Sequence, residues 1–262
     1  MIPNPNYNNN LNIFDGNIDL NPSYVDAYEV GYSISKKSFT INPTLYYRHQ
    51  TDDVKTITYS QLEKINDEDQ IVVHTKPVNV GTDDRIGLEV NFTWDATKWL
   101  KFLGNVDGFR YSTTGTYFTT DVPMKQPLSF EGKGVSMRSR LTSTFKLDKT
   151  LSFQVQGFYG GPRKTASQDR QSMYAVNFGA SKTVLNGNGT ISFNIQDVFN
   201  TRAMRMVNYN GDFTSENYMQ WQPRQFALSF TYKFKQGEKV EQPKRKKDIN
   251  SNATGGDEQG PM

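Results

Sequence analysis

Strand-length segments in which apolar and polar side chains alternate one by one are the feature that most constrains how this chain can fold. The segment from Gln225 to Phe234 is the clearest. Polar or small residues separate its apolar members, which are Phe226, Leu228, Phe230, Tyr232 and Phe234. Because successive side chains of a β-strand point to opposite faces, the segment predicts a strand with one apolar and one polar face. Its length matches the roughly 9–11 residues that a tilted strand needs to cross a bilayer.

Further segments show the same period of two, so the sequence predicts an all-β fold of about nine strands. These segments lie at about 28–35, 39–48, 85–95, 99–111, 135–147, 151–159, 174–181 and 190–196. The register of the segment at 99–111 stays open, because Leu103 and Phe109 interrupt its alternation.

The connections between the predicted strands alternate strictly between short and long. The short ones lie at 36–38, 96–98, 148–149 and 186–189, and the long ones at 51–80, 113–132, 160–172 and 200–222. Transmembrane barrels combine short periplasmic turns with longer extracellular loops, whereas a Greek-key sandwich has no reason to put every long loop at one end. The pattern therefore predicts an antiparallel, up-and-down transmembrane β-barrel. The long connection at 51–80 has no sustained apolar period, so it predicts a polar excursion with a strand extension around Ile71–Val73.

Composition is compatible with such a barrel. Hydrophobic residues make up only 35% and mean hydropathy is −0.70, yet aromatic residues reach 13%. These values suit strands that face the lumen with one side and carry aromatic belts on the other. The chain has no cysteine, which excludes disulfides and cysteine-ligated metals. A net charge of +3 gives no support to nucleic-acid binding.

The two ends of the chain differ from its middle. Residues 1–23 are rich in Asn and Pro and predict a loop segment without a signal-peptide pattern. Residues 24–234 carry the barrel strands, and residues 235–262 predict a disordered, polar and basic tail on the periplasmic side. An odd number of strands would leave an unpaired edge, whereas bacterial single-chain barrels have even numbers. We therefore expect the chain to be the C-terminal part of a larger barrel.

Three segments resemble motifs of TonB-dependent receptors. Asn17–Tyr32 is similar to the segment GNPxLxPxxxxxYELGY of the later barrel, Asp197–Asn200 to DxFN on the penultimate strand, and Phe226–Phe234 to the closing xxLSxxYxF. Their order resembles the Bacteroidetes-type outer-membrane β-barrel family over about residues 17–234. The resemblance implies a bacterial outer-membrane receptor with an N-terminal plug and a barrel of about 22 strands. It also implies that the receptor imports a siderophore, glycan or peptide with energy from the TonB system. The plug and the earlier strands would be the partners of this chain.

Candidate site residues follow from these faces and loops. Tyr209, Tyr218 and Trp221 in the last long connection could form an aromatic platform for a ligand, or could pack within the loop or the membrane interface. Arg138 and Arg140 share the polar face of one strand. We expect them to face the lumen, either toward the plug or an anionic ligand or as a solvated wall. The residues expected to face lipid are Phe226, Leu228, Phe230 and Tyr232.

No arrangement of residues in the sequence predicts catalysis, a cofactor or a metal site. The two histidines, His49 and His74, are expected at a strand end and in a loop. The acidic stretch 66–69 predicts a solvated loop rather than a Ca²⁺ site. Two alternatives to a receptor barrel stay open: a soluble all-β ligand-binding module, and a small self-contained outer-membrane barrel that acts as an adhesin or pore.

Overall fold

The computed structural model describes residues 6–9, 11–120, 126–211 and 213–234, and β-strands dominate it. In chain order the strands are β1 (Asn6–Asn9), β2 (Asn12–Phe14), β3 (Tyr24–Gly31), β4 (Ile34–Lys36), β5 (Phe39–Thr51), β6 (Val54–Ile65), β7 (Glu68–Asn79), β8 (Thr82–Asp95), β9 (Leu100–Thr113), β10 (Thr116–Tyr117), β11 (Leu128–Ser129), β12 (Gly132–Lys146), β13 (Leu151–Gly160), β14 (Arg163–Lys164), β15 (Gln168–Arg170), β16 (Met173–Val184), β17 (Gly189–Gln196), β18 (Met204–Tyr209), β19 (Thr214–Met219) and β20 (Gln225–Tyr232). Along these stretches no helix has the length and apolar character to span a membrane. The predicted tail at 235–262 lies outside the described residues.

One large antiparallel sheet forms the body of the described chain. Its strand order is β3, β5, β8, β9, β12, β13, β16, β17 and β20, and β4 continues the path of β3 along β5. Each strand pairs with the next one of this series, which is an up-and-down meander, so the predicted nine strands are confirmed. The short turns lie at one end of the sheet and the long excursions at the other. At its far end β20 returns to the short-turn side, where Lys233 N donates to Asn188 O at 2.8 Å.

In this sheet the apolar face is exposed and the polar face is covered, which is the reverse of the arrangement in a soluble protein. On the central strand β12, Val135 and Leu141 of the apolar face are 76% and 43% exposed. The polar-face residues that follow them, Ser136 and Thr142, are only 6% and 7% exposed. The strands pair in a register that places apolar residues opposite apolar residues and polar residues opposite polar ones, as with Ile195 and Phe226. A continuous apolar surface of this extent needs an apolar neighbour.

Aromatic rings flank the apolar face at both of its ends. On the short-turn side the ring centroids of Trp94 and Phe102 are 5.5 Å apart. On the excursion side Tyr28 and Tyr47 stack at 6.4 Å. Between these two levels, from Phe39 to Tyr47, strand β5 rises roughly 26 Å. The apolar band of a transmembrane barrel is about 25 Å tall and is bordered by aromatic girdles.

The register of β9, which the sequence left open, puts Leu103 and Phe109 on the polar face. Leu103 lies opposite Thr93 and Thr142. Phe109 is buried with the rings of Tyr46 and Tyr111, and these three form a small aromatic cluster. The alternation is broken here because large aromatic rings lie across glycines of adjacent strands: a Cβ at position 87 would approach the Tyr46 hydroxyl to 2.6 Å.

The excursion at 51–80 is a long β-hairpin: the strand extension predicted around 71–73 is part of β7, but the prediction of a polar loop for the rest was wrong. Strands β6 and β7 pair from Val54 to Ile65, and the acidic stretch supplies their two-residue turn, in which Asn66 and Asp67 have φ of 52° and 66°. Ile57 and Val78 are buried against Leu128 and Phe130 of the next excursion. The sequence does not show this apolar period, because the polar residues His74 and Lys76 interrupt it in β7.

His74 lies within strand β7, not in a loop, and is only 8% exposed. Its Nδ1 is 2.9 Å from Asp15 Oδ2, its Nε2 is 2.8 Å from Glu63 Oε1, and its ring stacks on Tyr59 at 5.2 Å. Asp15 is held there because β2 pairs in parallel with β7. The segment predicted as loop before residue 24 thus contains two short strands, β1 and β2, and helps to cover the hairpin. His49 lies near the excursion end of β5, with Nδ1 2.8 Å from Asp84 Oδ1.

Alkaline pH should weaken the contact between Asp15 of the N-terminal segment and Tyr59 of the hairpin β6–β7. Burial, and next the charge of Asp15, raise the pKa of Tyr59 above its ordinary value of 10.0. Because the folded state holds the neutral phenol and the unfolded chain ionises first, the stabilisation is complete below pH 10.0 and is lost as pH rises above it. Thermal unfolding of the full chain in detergent between about pH 9 and pH 11.5 should show a smaller alkaline loss for Tyr59→Phe. Identical pH profiles would contradict this assignment.

Candidate ligand-binding site

The long excursions enclose an open cleft of about 820 Å³ at one end of the main sheet. The hairpin β6–β7 lines one side with Thr56, Thr58 and Thr75, and the ends of β8 and β9 contribute Asp83 and Thr113. A second sheet of four strands, in the order β14, β15, β18 and β19, lines the opposite side. Segments far apart in the sequence therefore meet around a volume within the range of small-ligand sites, roughly 300–1,000 Å³.

Amide and hydroxyl groups dominate the wall that the small sheet contributes. Asn208, Ser215 and Asn217 line the cleft from β18 and β19, beside Gln168 of β15. The Gln168 Nε2 donates to Asn208 Oδ1 at 3.1 Å, and Asn210 Nδ2 donates to Ser215 Oγ at 3.4 Å. Because amides and hydroxyls both donate and accept, this wall can bind polar groups of either kind.

The three aromatic residues predicted as a ligand platform are not brought together in this cleft. Tyr209 and Tyr218 alternate along their strands with the cleft-lining Asn208 and Asn217, so they lie on the other face of the small sheet. Tyr218 is exposed beneath the guanidinium of Arg205, and Trp221 is exposed beyond the end of β19. Tyr209 lines a smaller pocket of about 260 Å³ beside Gln126.

Four arginines meet at the floor of the cleft, and we call them the arginine cluster: Arg85, Arg138, Arg163 and Arg170. Arg163 and Arg170 line the cleft itself, whereas Arg85 and Arg138 extend from the polar face of β8 and β12. The Arg85 and Arg138 guanidiniums lie over the Phe109 ring at 4.8 and 5.4 Å, and that of Arg163 lies over the Tyr111 ring at 4.8 Å. The buried aromatic cluster therefore positions three of the four charges.

Two carboxylates lie near the arginine cluster: Asp83, and Asp107, which lies opposite Arg138 on β9 and accepts a hydrogen bond from Tyr46 Oη at 2.7 Å. Asp83 accepts hydrogen bonds from Arg163 Nη2 and, at 2.9 Å, from Thr113 Oγ1, while Arg85 Nη2 is 3.8 Å away. Among the described residues, Asp83 is the one carboxylate in an ion pair with the cluster. Burial lowers the pKa of Arg170, and the charges of Arg138, Arg163 and Arg85 lower it further. The floor of the cleft thus carries concentrated positive charge.

Of the two arginines predicted for the lumen, only Arg138 joins this cluster. Arg140 follows on the same polar face of β12, and no hydrogen bond, ion pair or ring contact links it to the described part of the chain. The sequence missed Arg85 as a site residue, although the period of two already put it on a polar face. Arg163 and Arg170 lie in an excursion whose fold the period of two does not reveal.

Residues predicted to face lipid lie on the apolar face of β20. Phe226, Leu228, Phe230 and Tyr232 are all exposed, and they pair with Ile195, Phe193, Ile191 and Gly189 of β17. Within the described stretches, no group of three or more His, Cys or acidic side chains is arranged to hold a metal.

The Asp197–Asn200 motif folds the base of the last excursion. Asp197 is only 2% exposed, and its carboxylate accepts hydrogen bonds from Thr201 N at 2.9 Å and Arg202 N at 2.8 Å. Asn200 Oδ1 accepts from Gln220 Nε2 at 2.9 Å and from Arg224 N at 3.0 Å. The motif therefore ties the start of the excursion to its end and holds the small sheet in place.

Asp197→Ala should loosen the excursion between β17 and β20, because the substitution removes a buried carboxylate and leaves the backbone N–H groups of Thr201 and Arg202 without this acceptor. The expected cost is roughly 1–3 kcal/mol, which would speed tryptic cleavage at Arg202 and Arg205 by at least about fivefold. Glu216→Ala is the matched control, since this acidic residue of the same excursion is exposed and its side chain forms no hydrogen bond or ion pair with any described residue. Equal cleavage rates for the two variants would contradict the role of Asp197.

The sequence matches a protein family described as an outer membrane protein beta-barrel family, over residues 1–232. Comparisons with curated proteins and with solved structures gave no match.

Proposed function

Because the chain belongs to the outer membrane protein β-barrel family, we propose that it is the C-terminal barrel portion of a TonB-dependent receptor that imports a siderophore, glycan or peptide. Family membership assigns the chain to the bacterial outer membrane and its nine-stranded meander to a transmembrane β-barrel. In such barrels short turns are periplasmic and long loops extracellular. The soluble all-β module is excluded on the same ground.

The observation that carries the proposal is the polar cleft at the extracellular end of the sheet. Several excursions with separate origins in the sequence converge to form it, and buried side chains such as Ile57 and Val78 fix the hairpin that lines it. Small-ligand sites are concave, and polar groups that converge in them fix the orientation of the ligand. An outer-membrane barrel with such a site at its outer mouth is suited to capture a solute from outside the cell.

Open sheet edges support the proposal that further strands of the same receptor close this barrel. Strands β3 and β20 end the sheet, and neither has a second strand neighbour among the described residues. Unpaired backbone groups are costly in lipid, so an edge there must be paired. We propose that earlier strands and a plug domain are the partners of this chain, that lipid contacts its apolar face, and that the TonB system supplies energy. We propose no enzymatic activity.

A depletion experiment in the bacterium that makes the chain tests this function. Mass spectrometry would compare the solutes left in the medium by the wild type, by a strain that lacks the gene for the chain, and by a strain that lacks TonB. We expect that every solute left in the medium because the chain is missing is also left in the medium when TonB is missing. If the solutes need the chain but not TonB, the chain acts as a passive pore, and if no solute changes, an import function is wrong.

A further inference from the structure

We propose that the arginine cluster binds the carboxylate, phosphate or sulfate group of a small extracellular solute, an inference that rests on the proposed receptor function of the cleft. The cluster joins Arg85 and Arg138 of the main sheet to Arg163 and Arg170 of the small sheet. Arginine is suited to this role, because its planar fork of N–H donors matches the oxygens of such anions.

The hydrogen-bond donors of the cluster exceed the acceptors around them. Asp83 is occupied by Arg163 and Thr113. Arg138 and Arg170 donate no hydrogen bond to any part of the chain that the structure describes. The Nε atoms of Arg85 and Arg163 are buried and also have no acceptor among the described residues. Since buried donors are nearly always paired in folded proteins, the cluster has capacity for an anionic acceptor.

Two of these positive charges lie opposite each other in the small sheet. Arg163 and Arg170 are direct cross-strand partners in β14 and β15, where like charges destabilise a strand pair. The same repulsion contributes to the lowered pKa of Arg170. An anion between these strands and the main sheet would remove the repulsion. The arrangement therefore costs stability in the free protein and is compensated on binding.

The position of the cluster favours a dissolved anion over a lipid headgroup. Its members lie on the polar face of the main sheet and in the cleft, on the opposite side from the apolar face. Above them the cleft offers the amide and hydroxyl wall of Asn208, Ser215 and Asn217 for the uncharged remainder of the solute. We infer that the ligand is a polar molecule with one anionic end.

Calorimetric titration of the full chain in detergent tests this site, with inorganic phosphate and citrate as probes and chloride used to keep ionic strength constant. We expect saturable binding of at least one probe. Arg170→Gln should bind that probe at least about tenfold more weakly than the wild type, because a hydrogen bond to a charged group is lost. Arg170 donates to no described residue, so this variant should fold. Without the probe it should melt at a higher temperature than the wild type, because the repulsion from Arg163 is gone.

Arg110→Gln is the matched control, because it removes the same charge from the apolar face of the neighbouring strand β9. Weakening by Arg110→Gln equal to that by Arg170→Gln, or no binding of either probe, would overturn the anion site. Cluster-dependent binding of phosphatidylglycerol nanodiscs but of neither dissolved probe would also overturn it, in favour of a lipid headgroup. The TonB-dependent depletion experiment does not rely on these probes, so failure of the anion site leaves the receptor function separately testable.

Discussion

Leu88→Arg is expected to destabilise the folded chain by roughly 2–4 kcal/mol, the cost of an arginine at the lipid face near the middle of a bilayer. Leu88 lies near the middle of β8 on the apolar face, in a row with Leu45 and Gly108. It is 48% exposed, and a change at such a position in a soluble protein usually alters stability by no more than about 0.5 kcal/mol. A large effect therefore requires lipid as the neighbour.

Leu103→Arg is a matched control on the opposite face. Leu103 is 54% exposed and lies on the polar face of β9, so the same substitution should change stability by no more than about 0.5 kcal/mol. Urea unfolding of both variants in phospholipid vesicles, followed by tryptophan fluorescence, measures the difference. If both leucines tolerate arginine equally well, the assignment of the apolar face to lipid is wrong.

Gly81→Ala should be among the most damaging small changes in the chain, at roughly 2–6 kcal/mol. Gly81 has φ of +69°, and an added Cβ would lie 1.9 Å from the Thr114 carbonyl oxygen. Left-handed strain costs about 1–3 kcal/mol, and overpacking adds about 1–3 kcal/mol. Gly115 packs back to back with Gly81, at the point where two excursions leave the main sheet. The substitution should therefore separate the hairpin β6–β7 from the excursion that covers it.

Gly108→Ala controls for the loss of a glycine in itself. A Cβ at position 108 meets no atom within 4 Å, so this variant should fold with a stability close to that of the wild type. Refolding yield into detergent, measured as the heat-modifiable band on a gel, and urea unfolding would compare the two. A Gly81→Ala protein that refolds and unfolds like Gly108→Ala would show that the two excursions are not locked at this contact.

Sequence and structure agree best where the physical signal is local. Gln225–Tyr232 and the other strands of the meander were predictable because the period of two depends only on residues that are neighbours in the sequence. The hairpin β6–β7 was not, since His74 and Lys76 break its apolar period and are tolerated through contacts such as that of His74 with Asp15. Residue 15 is far from residue 74 in the sequence, so no local pattern reports the pairing that makes a buried histidine acceptable.

The sequence alone determined the strands, their two faces and the alternation of short turns with long excursions, because each is a property of neighbouring side chains. Only the tertiary structure decided which residues form the candidate site. It brought Arg85, Arg138, Arg163 and Arg170 together and turned Tyr209 and Tyr218 away from the cleft. These outcomes depend on the register of the strands and on how the excursions fold over the sheet. Both are fixed by contacts between distant segments, which a local pattern does not contain.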